Sequence, residues 1–184
     1  MQFNKIPYRK RRPITMKNFT QKLCLTLTLA LLLFTSTCFA KITKDDFCIG
    51  GVYIAQPMSE VIAKYGEPEV KRNDEGDPRY YVFSSPKGKI LVGSYDKVTW
   101  AQVENGSRIA TKAGIKLGAT SDKVESVYGT ARHVTYKDGK RGRVPALLYS
   151  TSIPEGDNMR VIEMAFILNK DNTVKTIWIA YAGE

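Results

Sequence analysis

Two stretches of this chain share one hydrophobic–polar pattern. Behind Gly51, Val52 and Ile54 form a short apolar alternation. Met58, Val61, Ile62 and Tyr65 then fall at i, i+3, i+4 and i+7, one face of a helix, and Gly66 closes the stretch. Further along, Ile115 and Leu117 alternate behind Gly114. Val124, Val127 and Tyr128 repeat the inner part of the stripe, and Gly129 closes it. Without a gap, Gly51 aligns with Gly114, Val61 with Val124, Tyr65 with Tyr128 and Gly66 with Gly129. Repetition at a fixed offset predicts a duplicated supersecondary unit. Pro57 suits a first helical position, and Thr120 suits a cap that accepts a first-turn N–H. Gly66 and Gly129 suit a helix stop in the left-handed region, and Pro68 keeps the first helix from resuming.

Strand patterns follow each helix. In the first stretch they cover about 79–84, 89–95 and 98–104, with Pro86-Lys87-Gly88 as a tight connection. In the second they cover about 132–136, 146–152, 159–168 and 174–181, separated by turn residues such as Asp138-Gly139. Ile162, Met164, Phe166 and Leu168 share one strand face, and the intervening positions are not uniformly polar, which predicts an interior strand. No Pro- or Ser-rich linker separates the halves. The expected fold is therefore α+β: two tandem repeats, each a short helical segment packed on an antiparallel sheet, fused into one domain. The expected boundaries are 47–108 and 109–184, after a flexible N-terminus at 41–46.

Residues 1–40 read as a signal peptide. Seven basic residues precede an apolar stretch from Leu23 to Phe34, and small Cys38 and Ala40 suit cleavage before Lys41. Met16 opens a second, shorter leader of the same kind. This changes the charge picture. The whole chain carries a formal +10, but the leader holds seven basic and no acidic residues. That leaves 21 basic against 18 acidic residues in 41–184, a net charge of +3. Such a balance gives no nucleic-acid footprint. No membrane span is expected once the leader is cleaved, and the location is periplasmic or extracellular. Only Cys48 remains after the leader, so no intrachain disulfide staples the fold.

The pattern Gly-apolar-x-apolar, a Val-x-x-x-Tyr-Gly helix end, and three or four strands resembles the tandem-repeat fold of the beta-lactamase inhibitor protein family. It is also similar to the SmpA/OmlA (BamE-like) envelope lipoproteins, which carry one such unit. The matching residues are Gly51, Val61, Tyr65 and Gly66, with Gly114, Val124, Tyr128 and Gly129. These are scaffold positions. The resemblance implies a fold and an envelope setting, and transfers no inhibitory residue. The inhibitor proteins carry disulfides that this chain lacks, and Thr35 and Thr37 make a poor lipobox before Cys38.

Candidate chemistry is sparse. His133 is the sole histidine and reads as an ordinary strand residue; Cys48 reads as a small buried hydrophobe. The acids show no metal-ligand spacing, so no metal or cofactor is expected. Lys137 to Arg143 is the densest basic run. It reads as a solvated hairpin loop, with a secondary, weak anion contact through Lys140, Arg141 and Arg143. The aromatics carry the main expectation. If Ile177, Ile179 and Tyr181 face the helices, Trp178 points to the open face of the sheet, and aligning the halves puts Trp100 there too. Trp100, Trp178, Tyr95 and Tyr149 are the expected contacts for a protein partner. The reading is a non-enzymatic binding module. Its rivals are an envelope-polymer hydrolase using His133, Glu163 or Asp157, and an outer-membrane assembly factor.

Overall fold

The computed structural model describes residues 42–72, 78–104, 106–137 and 142–183. The expected leader, Lys140 and Arg141 lie outside them. A two-residue hairpin, β1 (Cys48–Ile49) and β2 (Val52–Tyr53), turns across Gly50-Gly51. Helix α1 (Met58–Tyr65) follows, then β3 (Glu69–Arg72), β4 (Pro78–Ser85), β5 (Gly88–Ser94) and β6 (Val98–Val103). Helix α2 (Ser121–Tyr128) precedes β7 (Arg132–Lys137), β8 (Arg143–Glu155), β9 (Asn158–Leu168) and β10 (Val174–Tyr181). Strands β3 to β10 form one antiparallel sheet in the order β3-β4-β5-β6-β10-β9-β8-β7. The last strand thus lands in mid-sheet, beside β6. The fold is mixed α/β, two helices on a large antiparallel sheet.

Both helices cover the same face. Val61 and Val124 are fully buried. The Tyr65 ring packs on Phe83 at 5.9 Å, and the Tyr128 ring on Phe166 at 5.5 Å. Phe83 pairs with Ile90, while Ile177 pairs with Val103 and Phe166, and Phe166 with Leu147. All of these are fully buried and belong to one core. Each such side chain contributes about 1.5–3 kcal/mol of burial. An eight-residue helix is marginal by itself in water, so this stripe is what holds each helix.

The helix ends follow local chemistry, with two adjustments. Thr120 caps α2, its Oγ1 accepting the Lys123 N–H at 3.2 Å. Pro57 sits one place earlier than expected, as the extended residue before α1 (ψ 135°). Gly66 and Gly129 do have positive φ, 81° and 82°, but with ψ −173° in both. That is an extended region open essentially to glycine, and not the left-handed helical one. Their N–H groups still bond back to Ile62 O and Glu125 O, at 2.7 and 2.9 Å.

Other differences have equally physical causes. The segment 41–46, expected to be loose, forms in its described part a 3-10 turn (Lys44–Asp46). Asp46 there accepts from the Thr43 N–H at 2.8 Å and from its hydroxyl at 2.9 Å. Strand β3 was not expected, because Glu69-Val-Lys-Arg has no apolar alternation; it is an edge strand formed by pairing with β4. Ile115 and Leu117 form no strand. Ile115 closes a tight loop, its N–H donating to Thr111 Oγ1 at 3.1 Å and its carbonyl accepting from Thr111 N–H at 2.8 Å. Strand β8 outruns the expected 146–152 because it is paired along one side with β7 and along the other with β9.

Candidate functional site

The face of the sheet away from the helices carries the tryptophans. On β10, Ile177, Ile179 and Tyr181 point into the core, so Trp178 between them points out. Trp178 pairs with Gln102 on β6 and with Ala165 on β9; Trp100 pairs with Ala180 on β10 and Gly93 on β5. Both rings therefore stand on one face that no described element covers, on the two strands at the centre of the sheet. Both are half-buried.

The neighbours explain how two large rings fit there. Gly93, Ala146, Ala165 and Ala180 are buried on this side and make a floor of small residues. The Trp100 ring lies across Gly93 so closely that a methyl group at residue 93 would collide with it. Beyond Gly93 it meets the Tyr80 ring at 6.1 Å. Trp178 meets Tyr136 edge-on, with centroids 5.7 Å apart and planes at 83°. Tyr136 is on β7, whose strand would lie about 14 Å from β10 across a flat sheet, and it is further along that strand than Arg132, the position in register with Trp178. The sheet therefore curls toward this face, and the aromatic side chains lean inward. Between them, Trp100, Gln102, Trp178 and Ala180 line a hollow of about 290 Å³.

Polar groups edge the hollow. Gln102 Nε2 donates to Glu104 at 3.0 Å, and Arg132 reaches Glu163 at 3.4 Å. The arrangement suits an amphipathic contact, with aromatic walls for apolar groups and amide and charged groups at the margin. His133 is the neighbour of Arg132 on β7 but points the other way, its Nε2 lying 3.2 Å from Glu125 on α2. The hydrolytic candidates are thus divided between faces, with Glu163 on the open side and His133 on the helix side. Asp157 lies in the β8–β9 turn. Among the described residues, no group of three or more His, Cys, Asp or Glu side chains is placed to hold a metal ion.

Two expected contacts are corrected. Tyr149 is not on the open face. It is 6% exposed, packed on Tyr128 and Phe166 beneath α2, with its hydroxyl donating to Gly129 O at 2.9 Å. The strand register puts odd positions of β8, with Leu147, on the core side. Tyr95 is 92% exposed but lies past the end of β5, in the turn whose next residue, Asp96, accepts the Met58 N–H. It stands at the end of the sheet and not on its face. Arg143 opens β8 and lines a separate hollow of about 430 Å³ with Lys170 and Lys175. Tyr80, Tyr136 and Gly93 were the members of the open face that sequence reading missed. Alternation alone identifies the first two as candidates, but only the register shows which rings meet.

No family model matches the chain, and no curated protein matches it. Among solved structures, it is similar to a DUF4309 family protein, YjgB, from Bacillus subtilis subsp. subtilis strain 168. The two are 16% identical, with 71% of this chain and 82% of that one covered at a TM-score of 0.45. A likeness of that degree assigns no activity.

Proposed function

We propose that this chain is an exported, non-enzymatic binding module of the cell envelope or extracellular space, which grips a protein partner on its open sheet face. The observation that carries this reading is the pair Trp100 and Trp178, neighbours on the face that no described element covers and flanking one hollow. Half-buried aromatic side chains lining a shaped depression, with polar groups at the margin, are what interface hot spots are made of. Export is supported by the basic and apolar composition of 1–40. Among the described residues, no helix is long and apolar enough to cross a membrane.

The same reading takes the chain as two tandem helix-plus-sheet repeats. What supports it is the like order of elements, a helix and then four antiparallel strands in each half, and the like helix ends at Gly66 and Gly129. Tyr65 and Tyr128, aligned in the sequence, each tie their helix to the segment before it, through Gly50 O at 2.8 Å and Thr111 Oγ1 at 2.7 Å.

The test compares three baits made from the full chain: the wild type, Trp178→Ala, and Lys123→Ala on α2 as a control away from the face. A partner recovered from envelope extract by the wild type and the control is expected to bind Trp178→Ala at least about 30-fold more weakly, the cost of losing one buried aromatic anchor. Equal affinity for all three baits removes the site from the open face.

A further inference from the structure

A second candidate site lies apart from the tryptophan face and shares no residue with it. It is a cleft of about 610 Å³, within the usual size of small-molecule sites. Four pieces of chain wall it: the last turn of α1, the β1–β2 turn, the β4–β5 turn and the connector at 109–112. Each of three of them contributes a lysine: Lys64 from α1, Lys87 from the β4–β5 turn and Lys112 from the connector. Ser84, Ser85 and Thr111 also line it, but the Ser85 hydroxyl donates to Gly88 O at 3.0 Å and Thr111 Oγ1 accepts from the Tyr128 hydroxyl at 2.7 Å, so the lysines carry the cleft's ligand chemistry; none of the described lining residues is acidic.

The walls are bonded to one another. Gly50 N–H donates to Ala110 O at 2.8 Å, Arg108 N–H to Lys87 O at 2.6 Å, and the Tyr65 hydroxyl to Gly50 O at 2.8 Å. The cleft therefore exists before any ligand arrives, which removes an ordering cost from binding. The Lys64 ammonium rests against the bare backbone of Gly51 on one wall of the cleft. Gly51 has φ +78°, so the turn itself favours glycine.

Charge decides what fits. Three lysines on one cleft give it a positive charge. Among the described residues, Asp45 lies 4.0 Å from Lys112, and each side chain is about half exposed or more. The carboxyl end of α1 opposes an anion with only about half a charge. Lysine is a compact point charge suited to phosphate oxygens, whereas a flat carboxylate is better matched by arginine.

We propose that this cleft binds a small phosphorylated polyanion, held by Lys64, Lys87 and Lys112. The source is a soluble phosphate compound or the exposed headgroup of a phospholipid. The test uses protein from cells expressing the full chain, at constant ionic strength. Pyrophosphate is titrated while the Gly50 and Gly51 amide resonances are followed, and co-sedimentation with phosphatidylglycerol and phosphatidylcholine vesicles is run alongside. Saturable pyrophosphate binding that moves both glycine resonances is expected, with each Lys→Gln substitution weakening it about fivefold, the scale of one partly exposed charge contact. Binding of phosphatidylglycerol vesicles alone, lost in the triple Lys→Gln variant, identifies the headgroup form. Arg143→Gln is the control and leaves either result unchanged. Binding lost in Arg143→Gln instead, binding insensitive to the three lysines, or no binding of either probe by a folded protein overturns the proposal. Trp178→Ala leaves all these readouts intact, so this cleft and the sheet-face reading stand or fall separately.

Discussion

A tyrosine on a strand takes its role from the side of the sheet it faces, and Tyr149 shows what that does to its chemistry. Burial, with the charge of Glu125 and the neighbouring Tyr128, pushes its phenol far above the ordinary value of 10.0. Burial also raises Tyr65 and Tyr128, the latter against the pull of its bond with Thr111. The folded protein therefore keeps protons that the unfolded chain begins to lose above about pH 10. Stability that is fully present below that pH drains away as pH rises further. Urea midpoints measured from pH 8 to pH 12 are expected to fall above pH 10. Tyr149→Phe starts about 1 kcal/mol less stable at neutral pH, having lost the bond to Gly129 O. It then falls less steeply, because one raised phenol is gone. Parallel curves for the two proteins refute the assignment.

Each short helix is a local decision confirmed by packing. Helix α2 has a side-chain cap from Thr120, while α1 begins after Pro57 with no side-chain cap bond. Thr120→Ala is therefore expected to cost about 1 kcal/mol in equilibrium unfolding, since it orphans the Lys123 N–H. Thr120→Ser, which keeps the acceptor, restores most of it. An alanine variant as stable as the wild type would show that α2 is held by its apolar stripe alone. The strands divide similarly. Those with apolar runs bounded by turn residues, such as β9 and β10, are readable from their residues, whereas β3, which has no such run, pairs along the edge of β4.

The whole molecule depends on the seam between β6 and β10. There the first half meets the second through paired backbone and a continuous core, Ile177 against Val103 and Ile179 against Ala101. The connector adds two bonds to the first hairpin, from Gly50 N–H to Ala110 O and from Lys112 N–H to Cys48 O. A fragment of residues 47–108 would expose β6 as an unpaired edge and open its half of the core. It is expected to lack cooperative unfolding and amide-exchange protection, whereas the full chain unfolds its described core in one transition. A fragment with a native-like circular dichroism spectrum and a sharp melt would show that the halves are independent.

What this sequence determined by itself is what local physics governs. Apolar spacing marked both helices, glycine and threonine marked their ends, and two-residue alternation marked most strands and put Trp178 opposite Ile177 and Ile179. Those signals act over a few residues, so they survive reading in one dimension. Tertiary structure alone decided which elements lie side by side. The register brought Trp100 beside Trp178 over a floor of small residues, turned Tyr149 inward, and left Tyr95 at the sheet's end. It also drew Lys64, Lys87 and Lys112, far apart along the chain, to one cleft. Contacts between distant segments depend on the summed free energy of the whole packed sheet, and no single stretch of residues carries that sum.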